Sequence, residues 1–334
     1  TILSKVDEFF SRQTADETVA KRSSVKSWES ALSKLPNANL AVISIPGAYA
    51  SLEADRALDE GMNVFMFSDN VTIEEEKRLK EKAHEKGLLV MGPDCGTGII
   101  QSVPIAFTNS VNPGRIGIIG ASGTGIQELT CIIDRLGEGV TNAIGVGGRD
   151  LSEEIGGITM LDSIAAMEND DNIDVMIVIS KPPAKSVREK IERKLESVSK
   201  NVVTLFLGEK PDRHYDGIYN AYTLDEAARI AVNLVRGKAP TDVSVSIRET
   251  FRFDKSENKS IHAYYSGGTL ASEAAMLIKD ALELKIPPEK HEGFMLNYNG
   301  NVVVDLGDDV YTQGTPHPMI NPAKRIECMK KVLG

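Results

Sequence analysis

The sequence predicts an α/β protein built from repeated doubly wound parallel sheets. Three observations carry this: short apolar runs rich in β-branched residues, amphipathic stretches of helical length between them, and glycine-rich turns where a strand passes into a helix. "NLAVISIPG" (39–47), "MNVFMFSD" (62–69) and "LLVMGPDC" (88–95) are too short for helices and read as buried strands. Between them, residues 49–60 form a helix that ends at Gly61. The charged stretch 73–86 is a second helix, opened by Thr72 and Glu75 at capping-box spacing and closed by Gly87. Such alternation implies a parallel sheet, because parallel neighbours need a crossover.

The rhythm restarts after "NPG" (112–114). Strands are expected at 115–120, 141–147, 173–179 and 201–207, with helices at 123–136, 158–168, 184–199 and 223–236. "RGKAPTDVS" (236–244) reads as a linker. The third segment holds a strand ending in "AYYSGG", a helix 269–284, the "KIPPEK" break, a strand 302–307 and a helix around 322–333. The expected domains are therefore 1–112, 113–238 and 245–334, the first opening with a polar helical stretch, 1–36. The third has too few strands for a closed sheet, and the chain starts at Thr1 rather than Met, so a longer natural chain is expected at both ends.

With 334 residues and 41% hydrophobic content, the chain can bury sizeable cores. A net charge of −10 argues against a nucleic-acid or anionic-membrane partner, and no apolar run approaches the ~20 residues of a membrane span. Cys95, Cys131 and Cys328 are odd in number and far apart, which fits a reducing, cytoplasmic setting better than a disulfide framework. No HxH, HExxH or paired-carboxylate spacing indicates a metal.

The chemistry is expected at the glycine turns. "GASGTG" (120–125) is not the GxGxxG dinucleotide fingerprint. It puts Gly120, Ser122, Gly123, Thr124 and Gly125 at a strand's C-terminal end, where backbone N–H groups of the following helix can hold an anion. The plainer alternative is a tight corner with Ser122 or Thr124 as N-cap. "YYSGGTL" (264–270) repeats the arrangement with Ser266, Gly267, Gly268 and Thr269. "GVGGRD" (145–150) adds Gly147, Gly148 and Arg149, a side chain able to grip a carboxylate or phosphate in a fork, or else to pair with Asp150 at the surface. "ISKPP" (179–183) presents Lys181 at a strand mouth, either as a ligand contact or as a solvated lysine. Arg149 and Lys181 are the candidate catalytic charges. His84, on a charged helix, His214 and His317 read as solvated or structural.

In order, "SIPGAYA", "MFSDNVT", "MGPDCGTGI", "GRIGIIGASGTG" and "IGVGGRDL" resemble the α subunit of succinyl-CoA synthetases over residues 40–236. Together with "SKPP", "YSGGTLA" and "DLGDD", they resemble most closely the FdrA family of predicted acyl-CoA synthetases. The stretch after 260 is similar to the carboxy-terminal domain of the synthetase β subunit. The resemblance implies a Rossmann-like CoA-binding-type domain at 1–112, followed by flavodoxin-like synthetase-type domains, the last one partial. It implies that Ser44, Ile45, Pro46, Ser68 and Asp69 line a CoA site, and that Ser122, Gly123 and Thr124 face the place of a phosphorylated histidine. Two departures matter: the synthetase "GHAGA"-type histidine loop is missing, and Lys181 stands where the synthetases place the glutamate that pairs with that histidine. Residues 1–36 also lack the glycine-rich turn expected before a CoA site. The family association implies a cytoplasmic, oligomeric carbamoyltransferase subunit acting with other subunits on carbamoyl phosphate and oxamate. The alternatives are an acid–thiol ligase acting on a carboxylate with CoA, or a non-catalytic scaffold. CoA is a possible ligand, and no cofactor is required.

Overall fold

The computed structural model describes residues 25–210, 217–240, 260–285, 293–312, 315, 318 and 321–333. His214, His317, most of the 1–36 stretch and residues 241–244 of the expected linker lie outside the described residues. Residues 1–39 form one compact unit, within which α1 (Trp28–Lys34) is capped by the Ser27 hydroxyl accepting from Ser30 N–H.

Residues 40–334 form the other unit, which carries three sheets. The first runs through β1 (Leu40–Ile43), α2 (Gly47–Asp59), β2 (Asn63–Met66), α3 (Ile73–Lys86) and β3 (Val90–Met91), all parallel and in the order β1-β2-β3. The Thr72–Glu75 capping box opens α3, and Gly87, in the left-handed region at φ +67°, closes it, as the sequence predicts.

β4 (Thr97–Ile100) and β5 (Val103–Ala106) form a hairpin that sequence patterning missed. The second sheet then continues through β6 (Ile116–Gly120), α4 (Gly123–Arg135), β7 (Val140–Gly145), α5 (Ile158–Glu168), β8 (Val175–Ser180), α6 (Lys185–Glu196), β9 (Asn201–Phe206), β10 (Ile218–Asn220) and α7 (Leu224–Val235). Its order is β10-β9-β8-β6-β7-β4-β5, with β4 and β5 the antiparallel edge. The expected boundary at 112 therefore moves: residues 97–106 hydrogen-bond into the second sheet, because β4 pairs with β7 at Ile99–Ala143.

The sheet is wound on both faces. Ile116, Ile118, Ile177, Ile179, Val203 and Leu205 point to one side and pack with Leu129 and Ile133 of α4 and Ala227 and Ala231 of α7. Ile119, Met176, Val178 and Val202 point to the other and pack with Met160 and Ile164 of α5 and Ile191 and Leu195 of α6. Burial of both faces is why these strands read as continuous apolar runs. Chain order reverses beside β6, which has β7 on one side and β8 on the other. The C-terminal ends of β6 and β8 thus flank a topological switch point, the usual place for a ligand in such sheets.

The third sheet holds β11 (His262–Tyr265), α8 (Gly268–Ala281), β12 (Phe294–Tyr298) and β13 (Asn301–Asp305), in the order β11-β13-β12. β12 is antiparallel to β13. α9 (Asp309–Thr312) and α10 (Ala323–Leu333) complete the chain.

Candidate functional site

A cavity of about 280 Å³ opens at the switch point. Its walls are Asp94–Thr97, Gly120–Thr124, Gly145, Gly147 and Gly148, Lys181, and Ser266–Thr269. Four stretches chosen from sequence alone thus converge, although they are separated by up to about 150 residues. The volume, near the lower end of small-ligand pockets, suits a compact ligand.

The two glycine turns meet here and are bridged. A hydrogen bond joins the Ser122 and Thr269 hydroxyls, and a Cβ added at Gly267 would lie 2.7 Å from Thr124 Cγ2. Ser122 also caps α4, accepting from Gly125 N–H at 3.1 Å. The expected tight-corner role and the cavity role therefore coexist in one residue. Gly125 is a correction: it does not line the cavity, its N–H is spent on Ser122, and it is small because Ile179 Cδ1 lies 2.6 Å from where its Cβ would be. Gly120 lines the cavity and is held small by Ile179 and Ile126. Gly148 faces open space, and Gly147 needs its φ of +89° to turn the loop. The N-cap of α8, Gly267, offers no side-chain cap, so the first N–H groups of that helix lack the side-chain acceptor that α4 has.

Lys181 reaches the α8 turn: its Nζ lies 3.3 Å from where a Gly268 Cβ would be, with Asp305 Oδ2 3.0 Å from the same point. Lys181 makes no ion pair among the described residues. Arg149 is the second correction. It does not line the cavity, because its guanidinium donates to Glu76 Oε2 at 2.9 Å and to the Val71 carbonyl at 2.8 Å. Nor is its partner the expected Asp150. That carboxylate is fully buried, takes Lys80 Nζ at 2.7 Å, and accepts from Thr159 and Met160 N–H at the start of α5. Lys80, also fully buried, donates further to Glu76 at 2.9 Å and to the Val146 carbonyl at 2.8 Å. This quartet anchors the loop that carries Gly147 and Gly148.

Cys95 sits in the cavity wall but is 4% exposed, and burial pushes its thiol up to about 12, so it is no nucleophile at neutral pH. Neither His84 nor His262, the two described histidines, lines the cavity. His84 pairs at the surface with Asp162 at 2.9 Å. Among the described residues, no group of three His, Cys, Asp or Glu could hold a metal, and no helix is long and apolar enough to cross a membrane.

Ser44, Ile45, Pro46, Ser68 and Asp69 lie outside the cavity, on two turns packed together. The Ser68 hydroxyl is used internally, accepting from Ile45 N–H at 3.0 Å, while the other four are exposed. Asp94 N–H donates to the Ser68 carbonyl at 2.9 Å, so these turns adjoin the cavity rim. Sequence reading missed the Lys80 cluster and also Arg325, on α10, which donates to the Ser266 hydroxyl.

Two domain families match: "CoA binding domain" over residues 111–208 and "CoA-ligase" over residues 264–334. The first falls on the large sheet rather than on 1–112, where a domain of that type was expected. The cavity is lined from both matched stretches. The chain is 40% identical over 338 residues to the uncharacterised protein YahF of Escherichia coli, covering 97% of this chain and 65% of that protein. It is 23% identical to subunit alpha 1 of the ADP-forming succinate–CoA ligase of Archaeoglobus fulgidus, over 52% of this chain and 59% of that subunit. It is 28% identical to the alpha subunit of the malate–CoA ligase of Methylorubrum extorquens, over 46% and 53%. The chain thus spans less than two thirds of each of these relatives. In fold it is similar to the ATP citrate lyase of Methanothrix soehngenii, solved with citrate and coenzyme A. That match has a TM-score of 0.53 and 18% identity, over 85% of this chain and 50% of that one. The chain is thus similar to YahF over nearly its whole length, and the resemblance to FdrA-like, succinyl-CoA synthetase-type proteins agrees with both matched domain families.

Proposed function

We propose that the chain is a subunit of an acid–thiol ligase-type enzyme, working with other subunits, whose cavity holds the phosphate of a small acyl phosphate. The observation that carries this is the convergence of two glycine-turn helix starts and Lys181, which has no ion-pair partner among the described residues, on one small cavity. Backbone N–H groups at the starts of α4 and α8 and the Lys181 ammonium are all donors, and helix N-termini favour negative charge. Coenzyme A, when bound, supplies the thiol that takes the acyl group. Its place would be the exposed Ser44–Pro46 and Asp69 turns beside the rim. The residues of the chain hold the phosphate while the acyl carbon–oxygen bond breaks, and stabilise the charge that collects on it as it leaves. No histidine is needed in this scheme, and Lys181 in place of the family's glutamate matches a cavity built for a free anion. Carbamoyl transfer to oxamate, the activity expected from the family association, has no counterpart among these relatives and gives way to thioester chemistry.

Calorimetric titration with inorganic phosphate and acetyl phosphate tests the reading. Lys181→Met removes a charge-assisted hydrogen bond, so affinity should fall about tenfold to a hundredfold with folding little changed. Unchanged anion affinity in Lys181→Met would falsify the assignment. Mass spectrometry should then find thioester from acetyl phosphate plus CoA. Oxamate carbamoylation without thioester formation would return the function to carbamoyl transfer.

A further inference from the structure

We infer that Arg325, acting through Ser266, makes the cavity select a fully deprotonated oxyanion, with acceptor oxygens only, over one that carries a proton. The inference rests on the phosphate reading of the cavity.

Protons can be counted on the hydroxyls. A guanidinium only donates. Arg325 Nη2 donates to Ser266 Oγ, the only hydrogen bond of that hydroxyl among the described residues. Ser266 lines the cavity, so its own proton is left to point inward. Where the two turns meet, Ser122 and Thr269 hold two protons and share one hydrogen bond, while Ser122 also accepts from Gly125 N–H. Whichever of the two donates, one hydroxyl proton remains for the cavity. Lys181 and the uncapped start of α8 add further donors. Among the lining residues the only carboxylate is Asp94, at the rim; Asp305 does not line the cavity, although its Oδ2 lies 3.0 Å from where a Gly268 Cβ would be, on the Lys181 side.

Arg325 is half-buried and forms no ion pair among the described residues, and its buried Nε has no hydrogen-bond partner. Its charge is thus spent on Ser266 and on whatever anion lies beyond. A neutral partner with an acceptor atom could take the Ser266 proton and leave that hydroxyl only its lone pairs for the ligand, whereas a guanidinium cannot take it. Arg325 holds Ser266 as a donor. An ionised acyl phosphate carries no proton, whereas the inorganic phosphate released from it retains one at neutral pH. The same geometry therefore holds substrate more tightly than product. Arg325 is a positioning residue, since it acts through Ser266 and does not line the cavity.

The experiment is competition calorimetry with sulfate, which carries no proton, and inorganic phosphate at neutral pH. It uses wild type, Arg325→Met, Ser266→Ala and the double variant, each checked for fold by circular dichroism. Wild type should prefer sulfate by about tenfold, the weight of one hydrogen bond to a charged group. Arg325→Met should bring the ratio towards one, and Arg325→Lys, which keeps a donor, should restore it. In the Ser266→Ala background, Arg325→Met should change the ratio no further, because coupled residues are not additive. A ratio unmoved by Arg325→Met, or independent effects of the two changes, would overturn the role of Arg325 while leaving the cavity reading intact. If Arg325→Met does not fold, Ser266→Ala decides, and an unchanged ratio there overturns the inference. If wild type binds neither anion, this inference and the cavity reading both fail.

Discussion

Two lysines, one buried beneath the Gly147–Gly148 loop and one on the cavity wall, meet opposite fates. Lys80, with no exposed side chain, gives its three ammonium protons to Glu76, Asp150 and the Val146 carbonyl, all within 2.9 Å. Lys181, at the mouth of β8, has no ion-pair partner among the described residues and looks onto the cavity. A buried charge persists only when paired and hydrogen-bonded, so the first arrangement is what a structural lysine requires. Lys181 is exposed, so water carries its charge, and under the proposed function an anion in the cavity takes the place of that water. Arg149 belongs with Lys80, and Arg325 with Lys181. What separates the structural cations from those proposed to bind is which of them are already neutralised.

Breaking the neutralised cluster should have the largest effect. Lys80→Met leaves Asp150 and one oxygen of Glu76 buried without their cation, and should cost about 3–5 kcal/mol of stability. Urea unfolding with an unchanged m-value checks this, because it ties the shift in midpoint to stability alone. The contrast with Lys181→Met is the point: that variant should lose anion affinity and keep its stability. If Lys80→Met were as stable as wild type, the division between the two lysines would collapse.

Arg149→Met sits between these extremes. Its side chain is 43% exposed, and Glu76 keeps Lys80 after the change. Loss of one half-solvated charged contact and of the bond to Val71 should cost about 1–2 kcal/mol, less than a buried pair because water screens it. Phosphate affinity should be unchanged. A drop in affinity comparable to that of Lys181→Met would return Arg149 to the binding site.

The cavity-lining half of this comparison was legible in the sequence, and the buried structural half was not. Gly120–Thr124, Ser266–Thr269 and Lys181 each follow an apolar strand directly, so local pattern places them at strand ends, where ligands bind in open sheets. That the two turns share a cavity follows from the Ser122–Thr269 contact, 147 residues apart, which no local pattern encodes. The Lys80–Asp150 pair spans 70 residues and Arg325–Ser266 spans 59. Lys80 lies in "EEEKRLKEK", where every charge reads as solvated, and only the packing of α3 against the loop after β7 singles it out. Strands of the doubly wound sheet were legible because both faces are buried. The β4–β5 hairpin was not, because β5 is an exposed edge strand with no clear alternation.

A third case sharpens the comparison with the smallest effect: a half-buried acid, Glu273, that has no cation partner among the described residues. Glu273 on α8 accepts from Leu224 N–H at 2.8 Å, which caps α7 and ties the third sheet's helix to the second sheet. Burial raises its carboxyl above the ordinary value; the Leu224 N–H lowers it, and Glu128 and Asp225 raise it further. The folded state therefore binds this proton more tightly than the unfolded chain does. Its contribution to stability is fully present below the ordinary carboxylate value of about 4.3, and is lost as pH rises through the higher folded value. Glu273→Gln keeps an acceptor for Leu224 N–H and removes the titration. Carboxylates held low, such as Asp174 beside Arg115, act in the opposite direction, but they are common to both proteins and cancel in the difference. The melting temperature of Glu273→Gln minus that of wild type should thus grow as pH rises from 4 to 7, by a few degrees, since about 1 kcal/mol moves a domain of this size by roughly 2–4 °C. A difference that is flat across that range, or that shrinks, would mean Glu273 is ionised in the folded protein as readily as in water. In that case water reaches the carboxylate freely, and its burial contributes nothing to the pH dependence.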